Sequence, residues 1–181
     1  DDMSLETLIS KNSLEAKWTF NIPALTRKVE GVSAGHLIEV GARPNTGKTS
    51  FHASLVASTG GFAHQGAKCV VLCNEESVHR VGMRYLTASS NMNQYEIKDN
   101  PKVAHERYSA VKDNIKLYDS TGRDMSWVES IAKSFKPDVV ILDMGDKFAK
   151  TAGFARQDEA LKANAVHARM IAKQYNCAIF Y

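Results

Sequence analysis

Several features that would narrow the class of this protein are scarce in its sequence. It has only three cysteines, Cys69, Cys73 and Cys177, and their spacing matches no metal-binding motif. All three lie in apolar runs, so they are predicted to be buried, reduced thiols. Buried thiols without a disulfide or metal framework are typical of a cytosolic or similarly reducing compartment.

Long apolar runs and a strong net charge are also missing. No stretch approaches the roughly 18 consecutive apolar residues that a membrane span needs, and the acidic N-terminus, DDMSLETLIS, is unlike a signal peptide. The formal net charge of the 181 residues is only +3, so the overall charge gives no argument for binding nucleic acid. Any such site must be local, and the length suits one domain with no membrane partner.

Short apolar runs are present from Thr19 onward, and they alternate with amphipathic stretches. Five runs are predicted to be strands, at residues 36–41, 68–73, 115–119, 137–143 and 176–181. Four segments show the spacing of helices, at residues 49–58, 77–90, 124–135 and 158–175. This alternation predicts βαβ units and an α/β fold, with a mostly parallel sheet flanked by helices on both faces.

Two regions lack this clean pattern. Residues 1–18 have no clear hydrophobic period and are predicted to be a linker or N-terminal arm, which leaves residues 19–181 as the core. Residues 91–114 are more polar, include Asn100–Pro101, and are predicted to form one or two short helices at the periphery. The expected organisation is therefore a single α/β core with a short arm.

The segment GARPNTGKTSFH, residues 41–52, has the pattern of a phosphate-binding loop. It follows a predicted strand and precedes a helix that starts near Thr49. Backbone N–H groups and the positive end of the helix dipole would therefore face an anion. Lys48 and Thr49 follow Gly47, which places an ammonium group near the β- and γ-phosphates and a hydroxyl group near Mg²⁺.

One position departs from the usual pattern of such a loop. Ala42 stands where the pattern has its first glycine, but this position needs only a small residue and Gly41 precedes it. Pro44 fixes one φ angle and removes one N–H group, which stiffens the loop. The segment is therefore predicted to bind ATP or another NTP together with Mg²⁺. The predicted nucleotide-binding residues are Ala42, Arg43, Pro44, Asn45, Thr46, Gly47, Lys48, Thr49 and Ser50.

Carboxylates follow two of the predicted strands. VVILD ends an apolar strand at Asp143, and ligands bind beyond the carboxyl ends of strands in open α/β sheets. Asp143 is therefore predicted to hold Mg²⁺ together with Thr49, and an aspartate that merely begins a turn is the alternative. Another strand, in KCVVLCNEES, ends just before Glu75 and Glu76. Glu75, the first acid past the strand, is predicted to activate the attacking water; Glu76 and a solvated helix start are alternatives.

These motifs resemble those of a known family. HLIEVGARPNTGKTSF resembles the Walker A region of the DnaB-type, or superfamily 4, replicative DNA helicases, including the Ala-Arg-Pro before the turn. VVLCNEES is similar to the strand and catalytic glutamate segment of that family and of the phage primase–helicases. IKLYDSTGRDMSWVESIAKSFKPDVVILD resembles the stretch that ends in Walker B, and FNIPALTRKVEGVSAGHL resembles the entry turn. The resemblance covers residues 19–181.

The resemblance implies a RecA-like P-loop NTPase core that hydrolyses ATP as part of a 5′ to 3′ DNA helicase. It implies that Lys48 and Glu75 are catalytic and that Thr49 and Asp143 hold Mg²⁺. It also implies a hexameric ring around single-stranded DNA, with ATP at the subunit interfaces and primase or other replisome proteins as further partners. The implied location is the cytoplasm of a bacterium or of a phage-infected host.

Two departures from the family pattern are visible. MGDKF follows Asp143, where DnaB helicases carry a Tyr-Leu-Gln-like stretch, which indicates a divergent member of phage or mobile-element type. The sequence stops at Tyr181, whereas the family continues with a polar sensor residue and an arginine finger. The expectation is therefore an ATPase core truncated at its C-terminus. Alone it should hydrolyse ATP poorly, because such fingers are worth roughly 10³–10⁵ in rate.

A basic segment follows Asp143. Residues 146–159 lack a hydrophobic period and contain Lys147, Lys150 and Arg156. In the family architecture this loop would face the central channel of the ring. Basic loops that follow a phosphate backbone bind single strands without sequence preference, so these three side chains are predicted to contact DNA. A solvated surface loop is the alternative.

Two other classes of protein share most of these features. A RecA-like recombinase or a clock-type ATPase has the same fold and nucleotide but would not unwind a forked duplex. A loader or regulator that uses the nucleotide only as an assembly signal would bind ATP tightly and hydrolyse almost none. The sequence alone keeps both alternatives open beside a replicative helicase motor.

Overall fold

Helices and strands alternate along the chain as the sequence predicts. The computed structural model describes residues 4, 6, 17–43, 45–148 and 157–181, so the predicted arm at 1–18 lies almost wholly outside the described residues. In chain order the elements are β1 (Trp18–Thr19), α1 (Pro23–Val29), β2 (Gly31–Val32), β3 (Leu37–Ile38), α2 (Lys48–Ala57), β4 (Cys69–Cys73), α3 (Val78–Ser90), α4 (Gln94–Asp99), α5 (Pro101–Ser109), β5 (Ile115–Asp119), α6 (Met125–Phe135), β6 (Val139–Asp143), α7 (Gln157–Gln174) and β7 (Ala178–Phe180). None of the described helices is both long and apolar enough to cross a membrane.

A five-stranded sheet forms the centre of the fold, with strand order β3-β7-β6-β4-β5 and every neighbouring pair parallel. This arrangement confirms the predicted sheet. The predicted first strand, residues 36–41, is longer than β3, which lies at an edge of the described sheet and pairs only with β7 there. Backbone hydrogen bonds from Tyr181 N to Ile38 O (2.8 Å) and from Val40 N to Tyr181 O (3.0 Å) continue the pairing beyond β3.

The ladder register aligns the carboxyl ends of three strands. Cys73, the last residue of β4, is paired with Asp143 of β6 on one side and with Asp119 of β5 on the other. Glu75 follows Cys73 by two residues, so it leaves the sheet at the same edge as Asp143. Acidic groups of neighbouring strands therefore meet where parallel α/β sheets bind their ligands.

Helices cover both faces of the sheet, and each face has its own apolar core. On one face Val71 belongs to a cluster with Leu55 of α2 and Tyr85 of α3. On the other face Leu72 belongs to a cluster with Ile171 of α7. Because the central strands are buried on both sides, their sequences are continuous apolar runs without the polar alternation of a half-exposed sheet.

The three cysteines are buried and free of disulfide bonds, as predicted. Burial, helped by the nearby Asp143, raises the pKa of the Cys73 thiol to about 12. Burial also raises the pKa of the Cys177 thiol to about 11. These thiols therefore stay protonated at neutral pH and act as packing groups, since the thiolate is the reactive form.

The polar stretch at residues 91–114 forms two short helices, α4 and α5, as predicted. Asn93 begins α4 with a capping box, in which its side chain accepts from the Glu96 N–H while the Glu96 carboxylate accepts from the Asn93 N–H. Pro101 occupies the first turn of α5, where its missing N–H costs nothing. Local capping therefore defines both helices in a region without a strong hydrophobic period.

A small antiparallel sheet formed by β1 and β2 was not predicted. Trp18 pairs with Val32, and Thr19 pairs with Gly31. Gln65 supports this sheet, because its side chain accepts from Thr19 N (3.0 Å) and donates to Thr19 O (2.8 Å). Strands of two residues are too short to show a hydrophobic period, so the sequence gives no signal for them.

Gly31 is a position at which this small sheet has no room for a side chain. A Cβ added there would lie 2.0 Å from Trp18 O and 2.8 Å from Thr19 Cα, both of which are backbone atoms. We expect Gly31→Ala to lower the free energy of unfolding by about 1–3 kcal/mol, the usual cost of overpacking. Urea unfolding followed by circular dichroism measures this change.

The matched control is Gly82→Ala inside α3. A Cβ added to Gly82 meets no atom within 4 Å, and alanine favours a helix interior over glycine by about 0.8–1.0 kcal/mol. This variant should therefore be more stable than the wild type. Equal stability of Gly31→Ala and the wild type would contradict the close approach of β1 and β2.

Candidate nucleotide-binding site

The loop between β3 and α2 has the backbone geometry of an anion cradle. Gly47, which caps α2, has a φ angle of 93°, so a side chain there would be strained although nothing crowds it. Thr46 Oγ1 donates to Arg43 O (2.6 Å) and closes the turn before it. The first hydrogen bond of α2 runs from Phe51 N to Gly47 O (2.8 Å), so the three preceding N–H groups lie at the helix end that binds anions.

A cleft of about 1000 Å³ opens in front of this loop. It is bounded by the loop, by the chain after β4 with α3, and by the turn after β6 with α7. The predicted site residues that line the cleft are Ala42, Arg43, Asn45, Gly47, Lys48, Thr49, Ser50 and Glu75. Charged lining residues that were not predicted are Glu39, Glu76, Arg80, Arg84, Asp146 and Lys162. The structure thus brings most of the predicted site into one cavity large enough for a nucleotide.

The remaining predicted residues are placed as follows. Thr46 belongs to the loop, but its hydroxyl closes the turn. Asp143 lies beneath the cleft and lines a smaller cavity. The other three, Pro44, Lys150 and Arg156, lie outside the described residues.

Asp143 ends β6 as a buried acid without hydrogen-bond donors. Its side chain is 1% exposed, and neither carboxylate oxygen has a hydrogen-bond partner within the described part of the protein. Lys48 and Asp143 both line a cavity of about 30 Å³, roughly the volume of one water molecule in the liquid. The Lys48 ammonium also contacts the thioether of Met144, the next residue after Asp143. A buried carboxylate is costly unless a cation or water completes it, so this position suits an acid linked to Mg²⁺.

The donor set around Asp143 fits a nucleotide-dependent Mg²⁺ site. Among the described residues, no group of three or more His, Cys, Asp and Glu side chains is placed to hold a metal by itself. Mg²⁺ in nucleotide enzymes is held by one or two protein oxygens, by waters and by the substrate phosphates. The Thr49 hydroxyl at the start of α2 and the Asp143 carboxylate are oxygen ligands of this kind.

Two buried side chains from α2 and α3 stand behind Asp143. His52 Nε2 lies 3.4 Å from Asp143 Oδ1, which is longer than an ordinary hydrogen bond, and His52 Nδ1 lies 3.0 Å from the Tyr85 hydroxyl. Burial raises the pKa of Tyr85 well above its usual value, so the hydroxyl stays protonated. Asp143, His52 and Tyr85 therefore form a buried chain of polar contacts between the sheet and two helices.

Sequence reasoning treated His52 as structural and did not connect it with Asp143. A signal was nevertheless present. His52 follows Lys48 by four residues and Thr49 by three, which puts it on the same face of α2. Helical spacing from the phosphate-binding residues would have pointed to His52 as a neighbour of the metal ligands.

The two acids after β4 have different partners. Arg84 Nη2 donates to both oxygens of Glu76 at 2.9 and 3.0 Å, and Arg84 Nη1 reaches Ser50 Oγ at 3.4 Å. Glu75 Oε1 accepts from Lys147 Nζ at 3.1 Å, and both of these side chains are about half exposed. Glu76 is thus held by a two-point contact to α3, whereas Glu75 stands at the mouth of the cleft with one exchangeable partner. The predicted role of Lys147 towards DNA stays a prediction.

Together these features define a RecA-like P-loop nucleotide hydrolase, because a phosphate cradle at a helix start faces acids at the ends of parallel strands. The sequence matches the family described as DnaB-like helicase C terminal domain over residues 19–180. The chain therefore belongs to this family of ATP-hydrolysing replicative DNA helicases, as the resemblance of its motifs indicated.

Two solved structures share the fold. One is an ATPase domain, which matches with a TM-score of 0.78 at 14% identity, over 99% of this chain and 70% of that chain. The other is the structure of a DnaB-like replicative helicase and its interactions with primase, which matches with a TM-score of 0.79 at 15% identity, over 99% of this chain and 48% of that chain. The chain thus spans about half the length of the second protein. Comparison with curated proteins gives no match.

Proposed function

We propose that this chain couples ATP hydrolysis to movement along single-stranded DNA and to the separation of duplex DNA. The observation that carries the proposal is the cleft in which the phosphate-binding loop and Glu75 meet above the buried, donor-free Asp143. Membership of the DnaB-like family favours a helicase motor over a recombinase, a clock-type ATPase or a loader that only binds nucleotide. Residues 19–181 would form the motor core and residues 1–18 an arm.

The loop at residues 42–49 would hold the phosphates of ATP. The N–H groups at the start of α2 donate to phosphate oxygens, and the left-handed Gly47 lets the backbone approach them closely. Lys48 would exchange its contact with the Met144 sulfur for the β- and γ-phosphates. A thioether is a weak acceptor, whereas a phosphate forms a strong, charge-assisted hydrogen bond, so this exchange is favourable.

Thr49 and Asp143 would hold Mg²⁺, Thr49 through its hydroxyl and Asp143 through a water that the small cavity beside it can accommodate. When bound, Mg²⁺ neutralises negative charge on the β- and γ-phosphate oxygens. The burial of Asp143 keeps its carboxylate at one place at the end of β6. A fixed carboxylate lets the nucleotide be bound in one orientation.

Glu75 would orient the attacking water and take its proton. It lines the cleft, it is exposed enough to meet water, and its side chain is held there only by the ion pair with Lys147 among the described residues. Glu76 is less suited to this task because Arg84 occupies both of its oxygens. Exposed ion pairs contribute little, typically about 0.2–1 kcal/mol, so Glu75 can leave Lys147 at small cost.

The DNA and protein partners follow from the family and from local charge. Lys147, Lys150 and Arg156 are proposed to contact the backbone of single-stranded DNA. Six copies would form a ring with ATP at the subunit interfaces, and primase or other replisome proteins would be further partners. The proposed location is the cytoplasm of a bacterium or of a phage-infected host, and the proposed polarity is 5′ to 3′.

Unwinding of a forked duplex by the full-length protein tests this proposal. We expect ATP turnover that rises with added single-stranded DNA, and ATP-dependent release of one strand from a fork. Strand exchange without unwinding would instead identify a recombinase. Tight ATP binding with negligible turnover, even with DNA, would identify a loader or regulator.

A further inference from the structure

We propose that His52 is a positioning residue for Asp143, a role that rests on the proposed binding of Mg²⁺ and nucleotide in the cleft. In this assignment, the His52 Nε2–H group is directed at Asp143 Oδ1, and the Tyr85 hydroxyl donates to His52 Nδ1. Tyr85 thereby fixes the neutral tautomer in which Nε2 carries the proton. His52 would touch neither ATP nor Mg²⁺.

The first support is the burial of all three groups. Tyr85 is 0% exposed, and the side chains of His52 and Asp143 are 6% and 1% exposed. Neither His52 Nε2 nor the two Asp143 oxygens have a hydrogen-bond partner within the described residues. Unpaired polar atoms at such depth are costly, so His52 and Asp143 gain most by serving each other.

The second support is the direction of each contact. The Tyr85 hydroxyl is protonated because burial disfavours its ionised form, so it can donate to a ring nitrogen. His52 Nδ1 then accepts at 3.0 Å, which leaves the proton on Nε2, the atom 3.4 Å from Asp143 Oδ1. A small sub-ångström shift of either side chain closes this gap to ordinary hydrogen-bond length.

The third support is the cavity of about 30 Å³ that His52, Asp143 and Lys48 line together. It places the imidazole on one side of the carboxylate and the phosphate-binding lysine on another. A water ligand of Mg²⁺ there would meet Asp143 from the cleft side while His52 holds the carboxylate from behind. Partners of metal-linked carboxylates orient them in this way, and their loss typically costs about 10–100-fold in metal affinity.

The experiment measures the free Mg²⁺ concentration that gives half-maximal binding of a fluorescent ADP derivative to the full-length protein. His52→Asn keeps an acceptor for Tyr85 but is too short to reach Asp143, whereas His52→Gln keeps an N–H group near the place of Nε2. We expect His52→Asn to raise the Mg²⁺ requirement by about 10-fold or more. We expect His52→Gln to stay within a few-fold of the wild type, and binding measured in EDTA to be similar in all three proteins.

Asp143→Asn is the reference variant that separates two kinds of failure. If it leaves the Mg²⁺ requirement unchanged, the proposed metal site is wrong and the role of His52 falls with it. If Asp143→Asn raises the requirement but His52→Asn behaves as the wild type, only the role of His52 is overturned. Equal shifts in His52→Asn and His52→Gln would also overturn it, because they indicate lost packing.

Tyr85→Phe decides the question if His52→Asn does not fold, as judged by thermal unfolding without nucleotide. This variant keeps the ring that packs in the core and removes only the hydroxyl that fixes the tautomer. We expect a Mg²⁺ requirement that is raised by a smaller factor than in His52→Asn, with nucleotide binding in EDTA retained. A Mg²⁺ requirement equal to that of the wild type would overturn the proposal.

Discussion

Replacing Lys48 with alanine is expected to abolish ATP turnover, with a loss of at least roughly 10²–10³-fold, the usual effect of removing one preorganised group from a transition state. Lys48 is the cation that the loop presents to the β- and γ-phosphates, and it stands beside the buried Asp143. The measurement is the steady-state release of phosphate by the full-length protein with single-stranded DNA. A variant that keeps the full DNA-dependent rate would refute the assignment of this loop.

The loss in Lys48→Ala should come from chemistry and binding and not from unfolding. Within the described residues, the polar contact of the ammonium is with the Met144 sulfur, which is a weak acceptor. Thermal stability without nucleotide should therefore remain close to that of the wild type. Lys98→Ala, on an exposed position of α4 away from the cleft, is the matched control and should keep both stability and turnover.

Replacing Glu75 with glutamine is expected to separate ATP binding from hydrolysis. Glutamine keeps the size and an oxygen acceptor but cannot take a proton, and general-base catalysis contributes about 10²–10⁴-fold. The variant should therefore bind ATP with near-normal affinity and hydrolyse it about 10²–10⁴ times more slowly. Equilibrium binding of a fluorescent ATP derivative and single-turnover hydrolysis measure the two effects.

Glu76→Gln is the matched control for Glu75→Gln because the two acids are adjacent and both line the cleft. The control loses charge in the two-point contact with Arg84 but leaves the proposed base intact. It should keep most of its hydrolysis rate. Normal hydrolysis in Glu75→Gln together with a large loss in Glu76→Gln would move the base to Glu76.

The phosphate-binding loop and the five strands could be predicted from the sequence because their signals are local. A buried parallel strand is a continuous apolar run, and Gly47 with Lys48 and Thr49 is a short motif that a strand and a helix must flank. The burial of Asp143 also followed from its place at the end of such a run. These predictions needed no knowledge of distant contacts.

Other parts of the molecule depend on contacts between distant segments and left no local signal. The pairing of β1 with β2 rests on two short strands and on the side chain of Gln65, far along the chain. The contact between His52 and Asp143 joins residues 91 positions apart through tertiary packing. The different partners of Glu75 and Glu76 likewise became visible only when α3 and the turn after β6 were in place.

The ladder between β4 and β6 has a consequence for how such a protein can diverge. Cys73 and Asp143 are held opposite each other by backbone hydrogen bonds, which no side chain provides. Residues within the strands can therefore be exchanged for others of similar volume without moving the catalytic acids relative to each other. Lineages of this protein can lose nearly all recognisable sequence identity in the sheet and keep the same spacing of acids, provided that the ladder register is inherited unchanged.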